Sequence, residues 1–585
     1  GIVCAVSRPR PSPDPPDESS VQLIVGHTTN DSAWIWVRGD PNHRRLTLVV
    51  EAILDADGRQ PAPPAERELE VDPAHDYIAV VRFESLAPNT RYAVRLTAAG
   101  RELVSGQLRT FPELGTAVSF RFLHGSCNLP VARLTALGSM AAALLGSAAT
   151  DRALELPFSD WDLEHLTGFK RVLRWPGVRA AARALIKALN KVVLWYAFRT
   201  RFEQPKPLLP SPFARLSATA HLENDSGPRH AFMIHCGDQI YYDLDFPQRE
   251  GSTKDYARSY RQAWFNDAHA ARFLRSLPQY MTLDDHEIVD GFGTNPEPSA
   301  SEIEPAVRAY EHYVSSRQPA RDPAGGFYYT FEYGDAGFFV LDTRTKRSAE
   351  ERRMLSESQL VALERWLSGE EPHDKPYELK FIVSSVPFVA QLRPPGLYRN
   401  RERRGDGRAD KWSGAAWRSQ RDRIISAIYE NNVNHLVFLV GDMHCTYHAR
   451  MLIGDPRRRV TVHELAGGPL NQLQFAKRDD FYARYTGTSE RSSGASDSDE
   501  STNQSKRPPL SWTSTLEAFN GASPSVLDIS VRPQSSSAPT EIRWTAVRTH
   551  AAPVERDVRG QLSQPQALHD LCGRIRFHRQ PMELW

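Results

Sequence analysis

The sequence predicts an α/β layered domain preceded by a small all-β domain. Three observations carry this. Short apolar segments that alternate with polar residues crowd positions 21–112, the period-2 pattern of strands with one buried face. Beyond residue 117 continuous apolar runs replace the alternation, as suits strands buried on both faces of a central sheet. Segments with helical periodicity separate those runs.

The elements follow in order. Residues 1–20 are Pro-rich and polar, and read as an irregular arm. Within 21–112, strands are expected at Val21–Val25, Ala33–Val37, Leu46–Ala52, Ile78–Phe83, Tyr92–Thr97 and Leu103–Arg109. The stretch Leu86-Ala-Pro88-Asn-Thr90-Arg-Tyr92 resembles the L-x-P-x-T-x-Y corner of fibronectin-type and immunoglobulin-like modules, where the Tyr hydroxyl ties the corner to upstream backbone. A β-sandwich that packs against and positions its neighbour is the expectation. The α/β domain spans 117–485, with apolar runs at Phe120–Leu123, Phe232–Ile234, Tyr280–Leu283, Phe338–Leu341, Phe381–Val383 and Leu436–Val440. Ser356-Glu-Ser-Gln359 has the form of a capping box, followed by Leu360, Leu363 and Leu367 on one helical face.

A helical insertion is expected at about 130–225. Its centre, 178–198, places Val178, Leu185, Leu189, Val192 and Tyr196 on one face, and Arg179, Arg183, Lys187 and Lys191 on another. Three roles stay open for it: contact with a membrane surface, a packed helix with a solvated basic face, or a lid beside the Cys127 loop that it follows. Residues 487–510 are low-complexity and read as loose. Strand-like Val526–Val531 and Ile542–Val547 make 511–585 an extension of the α/β domain.

Composition excludes several classes. Lys+Arg minus Asp+Glu is 72 − 71 = +1, so no global charge calls for nucleic acid. Twelve Trp, 19 Tyr and 25 Phe exclude wholesale disorder. Five Cys without a CxxC pair exclude a disulfide scaffold and zinc-finger spacing. The apolar run near 139–149 is too short to cross a bilayer. No signal-peptide pattern is visible.

The apolar runs end in residues capable of chemistry. They lead into His124-Gly-Ser-Cys127-Asn128, His235-Cys-Gly-Asp238-Gln-Ile-Tyr241, Asp284-Asp285-His286-Glu287, Asp342-Thr-Arg344 and Gly441-Asp442-Met-His444. Ligand sites of layered α/β folds gather at one strand edge, and carboxylates gathered there need cations to offset their repulsion. Carboxylates alone suit Mg²⁺ or Ca²⁺. Adding the Cys127 thiolate, the Tyr241 phenolate and the His444 imidazole favours at least one transition metal. A mixed set implies two or more metals with a shared carboxylate, the layout of two-metal phosphoryl hydrolysis.

The order Gly237-Asp238-x-x-Tyr241, Asp284-Asp285-His286-Glu287, Gly441-Asp442-x-His444 resembles the calcineurin-like metallophosphoesterase pattern. Its variants resemble the PhoD-type alkaline phosphatases and phosphodiesterases: Ser-Cys127 in place of D-x-H, DDHE in place of GNHE, and GD-x-H in place of GH-x-H. Leu341-Asp-Thr-Arg344, Asp410-Lys-Trp412-Ser-Gly414 and a preceding sandwich agree with them. The resemblance implies a layered sandwich of central mixed sheets flanked by helices, and a phosphoesterase working by in-line attack of a metal-activated hydroxide. It implies that Cys127, Asp238, Tyr241 and His444 hold Fe³⁺, and that Asp238 bridges to a Ca²⁺ position completed by Asp285 and Asp442; Zn²⁺, Mn²⁺ and Mg²⁺ stay open. His286 is expected beside the scissile phosphate and Arg344 on its oxygens. Asp284 and Glu287 are expected to orient His286 and its loop, with Asn128, Asp410 and Trp412 near the mouth. The expected partner is a phosphate ester, with no nucleic acid. A phosphodiesterase on polymers or phospholipid headgroups, and a non-catalytic binding protein on the same fold, are the alternatives. The family places an export signal before the sandwich, so exported and cytosolic forms both stay open.

Overall fold

The computed structural model describes residues 21–53, 63–129, 211–220, 222, 228–242, 251–294, 300–322, 324–370, 377–391, 410–471, 485–490, 508–520, 524–535, 538–549 and 571–577. The arm at 1–20, the insertion up to residue 210 with the basic helix expected at 178–198, and the low-complexity stretch at 491–507 lie outside the described residues.

Among the described residues the sandwich has seven strands: β1 (Gln22–Thr28), β2 (Ala33–Arg38), β3 (Arg45–Ala52), β4 (Ala65–Glu70), β5 (Ile78–Phe83), β6 (Arg91–Ala98) and β7 (Arg101–Arg109). They form antiparallel sheets in the orders β1-β2-β5 and β4-β3-β6-β7. Ile35, Val37, Leu48, Val50, Val94 and Leu96 face inward and fill the space between them. β4 escapes sequence reading because its Ala-Glu-Arg-Glu-Leu-Glu segment is a largely exposed sheet edge. Such a strand needs no apolar face, and its charges discourage further pairing. The Tyr92 hydroxyl accepts the Ala87 N–H at 2.8 Å, which makes the expected corner tie.

The α/β domain stacks two sheets face to face. One runs β10-β9-β8-β20-β21-β22, from β8 (Phe120–Asn128), β9 (Met233–Cys236), β10 (Gln279–Thr282), β20 (Ser525–Arg532), β21 (Thr540–Arg548) and β22 (Cys572–Phe577), with β17 (Pro469–Asn471) also on β8. The other runs β11-β12-β13-β14-β16-β15-β19-β18, from β11 (Tyr329–Tyr333), β12 (Ala336–Val340), β13 (Leu379–Ser384), β14 (Leu436–Val440), β15 (Thr446–Gly454), β16 (Arg459–Ala466), β18 (Tyr485–Ser489) and β19 (Leu510–Asn520). Phe122, Phe232, Phe338, Phe381, Leu439 and Ile529 fill the layer between the sheets, so these strands read as unbroken apolar runs. β18 places residues 487–489 in the sheet rather than in the loose segment expected from 487 onward. The C-terminal strands continue both sheets: β20 pairs with β8 and β19 with β15.

Helices cover the outer faces. α1 (Pro212–Ala220) and α3 (Ala268–Leu274) cover the first sheet through Phe213, Leu216 and Phe273, and α5 (Glu357–Ser368) and α6 (Arg418–Glu430) cover the second through Leu360, Leu363, Trp366 and Ile425. α2 (Thr253–Trp264) begins at a capping box made by Ser252 and Asp255. The Ser356 side chain caps α5 by accepting the Gln359 N–H at 3.2 Å, but the box is not closed. Gln359 turns away, accepts the Asp342 N–H at 2.9 Å and donates to the Asp342 carbonyl at 3.0 Å, which fixes the loop carrying Arg344.

α2 and α4 (Ala300–Tyr313) carry the sandwich. Trp36 of β2 packs among Tyr260, Tyr313 and Trp264 and donates its indole N–H to the His312 carbonyl at 2.8 Å. Asp76 meets Arg38 at 3.1 Å, Arg261 of α2 at 2.6 Å and the Tyr313 hydroxyl of α4.

Candidate metal centre

The strands β8, β9 and β10 are mutually parallel, as are β12, β13 and β14. Their C-terminal ends therefore point the same way within each sheet. Cys127 ends β8, Asp238 follows β9, Asp284 and Asp285 follow β10, and Asp442 and His444 follow β14. Turning each side chain inward bends the backbone. Cys127, Asp238, Asp442 and His444 all have positive φ, at 53°, 57°, 63° and 50°. L-residues rarely adopt that conformation, and sites hold it where geometry matters more than local ease. Two glycines make room for this. A Cβ on Gly237 (φ 84°) would lie 2.3 Å from that of Asp284, and one on Gly441 would lie 2.5 Å from the Cys236 carbonyl oxygen.

The first donor group joins Cys127, Asp238 and His444, whose ligand atoms lie within 4.8 Å of one another. Asp238 Oδ2 is its hub, 3.3 Å from Cys127 Sγ and 3.0 Å from the Tyr241 hydroxyl. The Tyr241 hydroxyl is 3.4 Å from His444 Nε2. A second group, Asp238, Asp285 and His286, and a third, Asp284, Asp285 and Asp442, meet the same 4.8 Å limit. Asp238 is thus common to two groups and Asp285 to two. The His286 ring lies against Tyr241 with centroids 4.2 Å apart, and its backbone N–H reaches Asp238 Oδ1 at 3.4 Å.

These donors fit cations. Burial, then the Asp238 carboxylate, pushes the Cys127 thiol well above its ordinary range. Burial, then Asp238 and Cys127, does the same to the Tyr241 phenol. Burial raises Asp238 strongly, with His286 opposing and Asp285 and Asp284 adding to the rise. Three adjoining acids whose ionised forms burial disfavours gain most from a cation, which stabilises all three anions at once. Among the described residues, Asp284 Oδ2 and Asp285 Oδ1, both buried, have no hydrogen-bond partner, although Arg344 lies 3.6 Å from the latter, an arrangement costly without a ligand.

A family model described as PhoD-like phosphatase matches residues 212–519, more than half of the chain. The chain belongs to the PhoD-like phosphatase family. It is 24% identical over 259 residues to the alkaline phosphatase D of Bacillus subtilis (strain 168), a match covering 37% of this chain and 42% of that protein. The chain thus spans less than half of that relative's length. The solved structure of PhoD superposes with a TM-score of 0.56 at 16% identity, covering 92% of this chain and 88% of that one.

Several site residues of this PhoD-like chain stand where the motifs did not put them. Arg344 is fully buried and its fork is occupied within the protein: Nε donates to Asp284 at 2.5 Å, Nη1 to Asp410 at 2.6 Å and to the Phe292 carbonyl at 3.1 Å, and Nη2 to Asp410 at 3.0 Å. The expectation that it grips phosphate gives way to a role in fixing Asp284 and Asp410. Trp412 is not at a mouth. It is fully buried, edge-on to Phe388 in the core beneath α5 and α6. Asp410 is likewise buried, held by Arg344, Arg347 and Lys411. The Glu287 carboxylate accepts the backbone N–H groups of Asp238 at 3.1 Å, Asp284 at 2.8 Å and Gln239, and so holds the loop that carries His286. Burial, opposed by the backbone donors and reinforced by the Asp284 charge, leaves it pushed up to about 8. Asp284 faces Arg344 and the Ser385 hydroxyl, which donates to it at 2.7 Å. Asn128 is buried, its backbone N–H donating to the Asp238 carbonyl at 2.9 Å.

Sequence reading left Glu464 unassigned. Its carboxylate accepts the N–H groups of Phe388, Val389 and Ala390 at 2.7, 2.6 and 3.0 Å and the Tyr447 hydroxyl at 2.8 Å, pinning the loop after β13. Ser385 carried no motif signal, and Arg347 and Lys411 were marked only by standing next to Arg344 and Asp410 in the sequence.

Proposed function

We propose that this chain is a metal-dependent phosphoesterase. What carries the reading is the sharing of Asp238 and Asp285 between adjoining donor groups, since a bridging carboxylate is what brings two cations near one phosphate. Cys127, Asp238, Tyr241 and His444, with soft and anionic donors, suit Fe³⁺. Asp284, Asp285 and Asp442, with oxygen alone, suit Ca²⁺. Cations held there supply positive charge for phosphate oxygens and make water acidic enough to attack phosphorus.

The chain's own residues arrange the rest. Asp238 and Asp285, each shared with the middle donor group, link the two positions. Tyr241 backs His286, which stands beside both Asp238 and Asp285 and serves as the donor of a proton or hydrogen bond to the leaving oxygen. Arg344 and Glu287 hold the carboxylates and their loops at fixed places.

Elemental analysis of the purified protein, paired with a panel of nitrophenyl mono- and diesters, tests this. The wild type is expected to hold iron and calcium and to turn over esters, and the panel separates a monoesterase from a diesterase. Asp238→Asn is expected to lose both metals and turnover while the circular dichroism spectrum persists. Full activity in metal-free Asp238→Asn would sink the reading.

A further inference from the structure

Lys411 follows Asp410 directly, in a turn closed by the Gly414 N–H donating to the Lys411 carbonyl at 2.8 Å. Its neighbours anchor that turn: Asp410 through Arg344 and Arg347, and Trp412 in the core. The buried side chain brings Nζ to 2.7 Å from Asp410 Oδ2 and into an ion pair with Asp442 Oδ2. Asp442 is one of the three carboxylates of the third donor group. The ammonium's field also reaches the other two, Asp284 and Asp285.

An ammonium and a divalent ion cannot share one carboxylate oxygen at close range, because they repel and need the same lone pairs. Lysine is suited to yield: its charge sits on a flexible four-carbon stem, and Asp410 stays available as a partner after Asp442 is released. We propose that Lys411 is a built-in competitor for the cation held by Asp284, Asp285 and Asp442, and so sets how tightly that position takes a divalent ion. With the position empty, Lys411 neutralises Asp442. A divalent ion enters by displacing Nζ toward Asp410, so its affinity is reduced by the contact it breaks. This rests on the reading of the three carboxylates as a cation position.

Calorimetric titration with CaCl₂ tests it, on full-length protein that keeps its tightly held metal but has been dialysed against a calcium chelator. Lys411→Met removes the charge and keeps the length, and Lys411→Gln is a second neutral variant that can still bond to Asp410. Both are expected to bind calcium at least tenfold more tightly than wild type, while Lys411→Arg stays within about threefold of it. In the dialysed state Lys411→Met is expected to melt below the wild type, and calcium to close that gap. Unchanged or weaker calcium affinity in the folded neutral variants overturns the competition. Asp442→Asn separates the two ideas. It is expected to abolish the calcium isotherm; if wild type and Asp442→Asn titrate alike, the cation position itself is wrong, whatever Lys411 does.

Discussion

Arg344 meets Asp410 as a two-pronged pair, Nη1 at 2.6 Å from Oδ1 and Nη2 at 3.0 Å from Oδ2, with both residues buried. Asp284 takes the remaining side of the same guanidinium. Arg344→Met leaves two buried carboxylates without their counter-charge, so it is expected to destabilise the protein by about 3–5 kcal/mol. Lysine cannot reproduce the fork, so Arg344→Lys should recover only part of this. Urea unfolding of the three proteins checks it; a loss under 1 kcal/mol in Arg344→Met would restore the idea that the residue faces substrate.

Glu287 fastens the loops bearing Asp238 and Asp284 by accepting their N–H groups. In Glu287→Gln one acceptor oxygen becomes an amide donor facing backbone donors. Metal affinity is expected to fall about 10–100-fold, the usual cost of losing a group that holds ligands in place. Competition with a chromophoric chelator reads this directly, and an unchanged affinity would remove Glu287 from the supporting frame.

Asp76 couples the sandwich to α2 and α4. Burial raises its carboxyl, but Arg261 and Arg38 outweigh that and hold it below the usual range. A depressed carboxyl contributes stability that is present above its unfolded pKa and lost as pH falls through the folded one. Asp76→Asn is expected to cost about 3 kcal/mol near pH 7 and progressively less as the pH is lowered below about 4. Chemical unfolding at both pH values tests the difference.

His448 is buried, with Nε2 3.0 Å from His463 Nδ1. Burial, with Glu517 opposing and Arg450 assisting, pushes it down to about 4. The unfolded chain therefore takes up this proton near pH 6.5 and the folded chain only near 4, so stability falls as pH drops through that window. His448→Gln should make the slope shallower by about 1.4 kcal/mol per pH unit between pH 6 and 5. Parallel slopes for the two proteins would count against it.

Much of this organisation was legible in the chain. The unbroken runs marked the parallel strands because both faces of each sheet are covered, and Cys127, Asp238, Tyr241, Asp285, Asp442 and His444 stood at their ends. The roles of Arg344, Asp410 and Trp412 were not legible. A motif records which residues accompany a site, and not whether their side chains face the ligand or the core behind it. Lys411 and Glu287 were obscure for a related reason: what they do depends on contacts with loops far off in sequence. β4 was silent because an exposed edge demands no pattern.

Arg121 on β8 pairs with Asp528 on β20, 407 residues further along the chain. The strand that leads to Cys127 is thus flanked on one side by a segment made about 400 residues later. Until that segment leaves the ribosome, the 120–124 part of β8 has one open edge, although β17 can already pair beside Cys127. Closing so distant a pairing is slow, and an exposed apolar strand invites mispairing meanwhile. Metal loading of a nascent chain should therefore lag behind folding of its sandwich, and a chain stopped before residue 525 should carry the ligands without the centre.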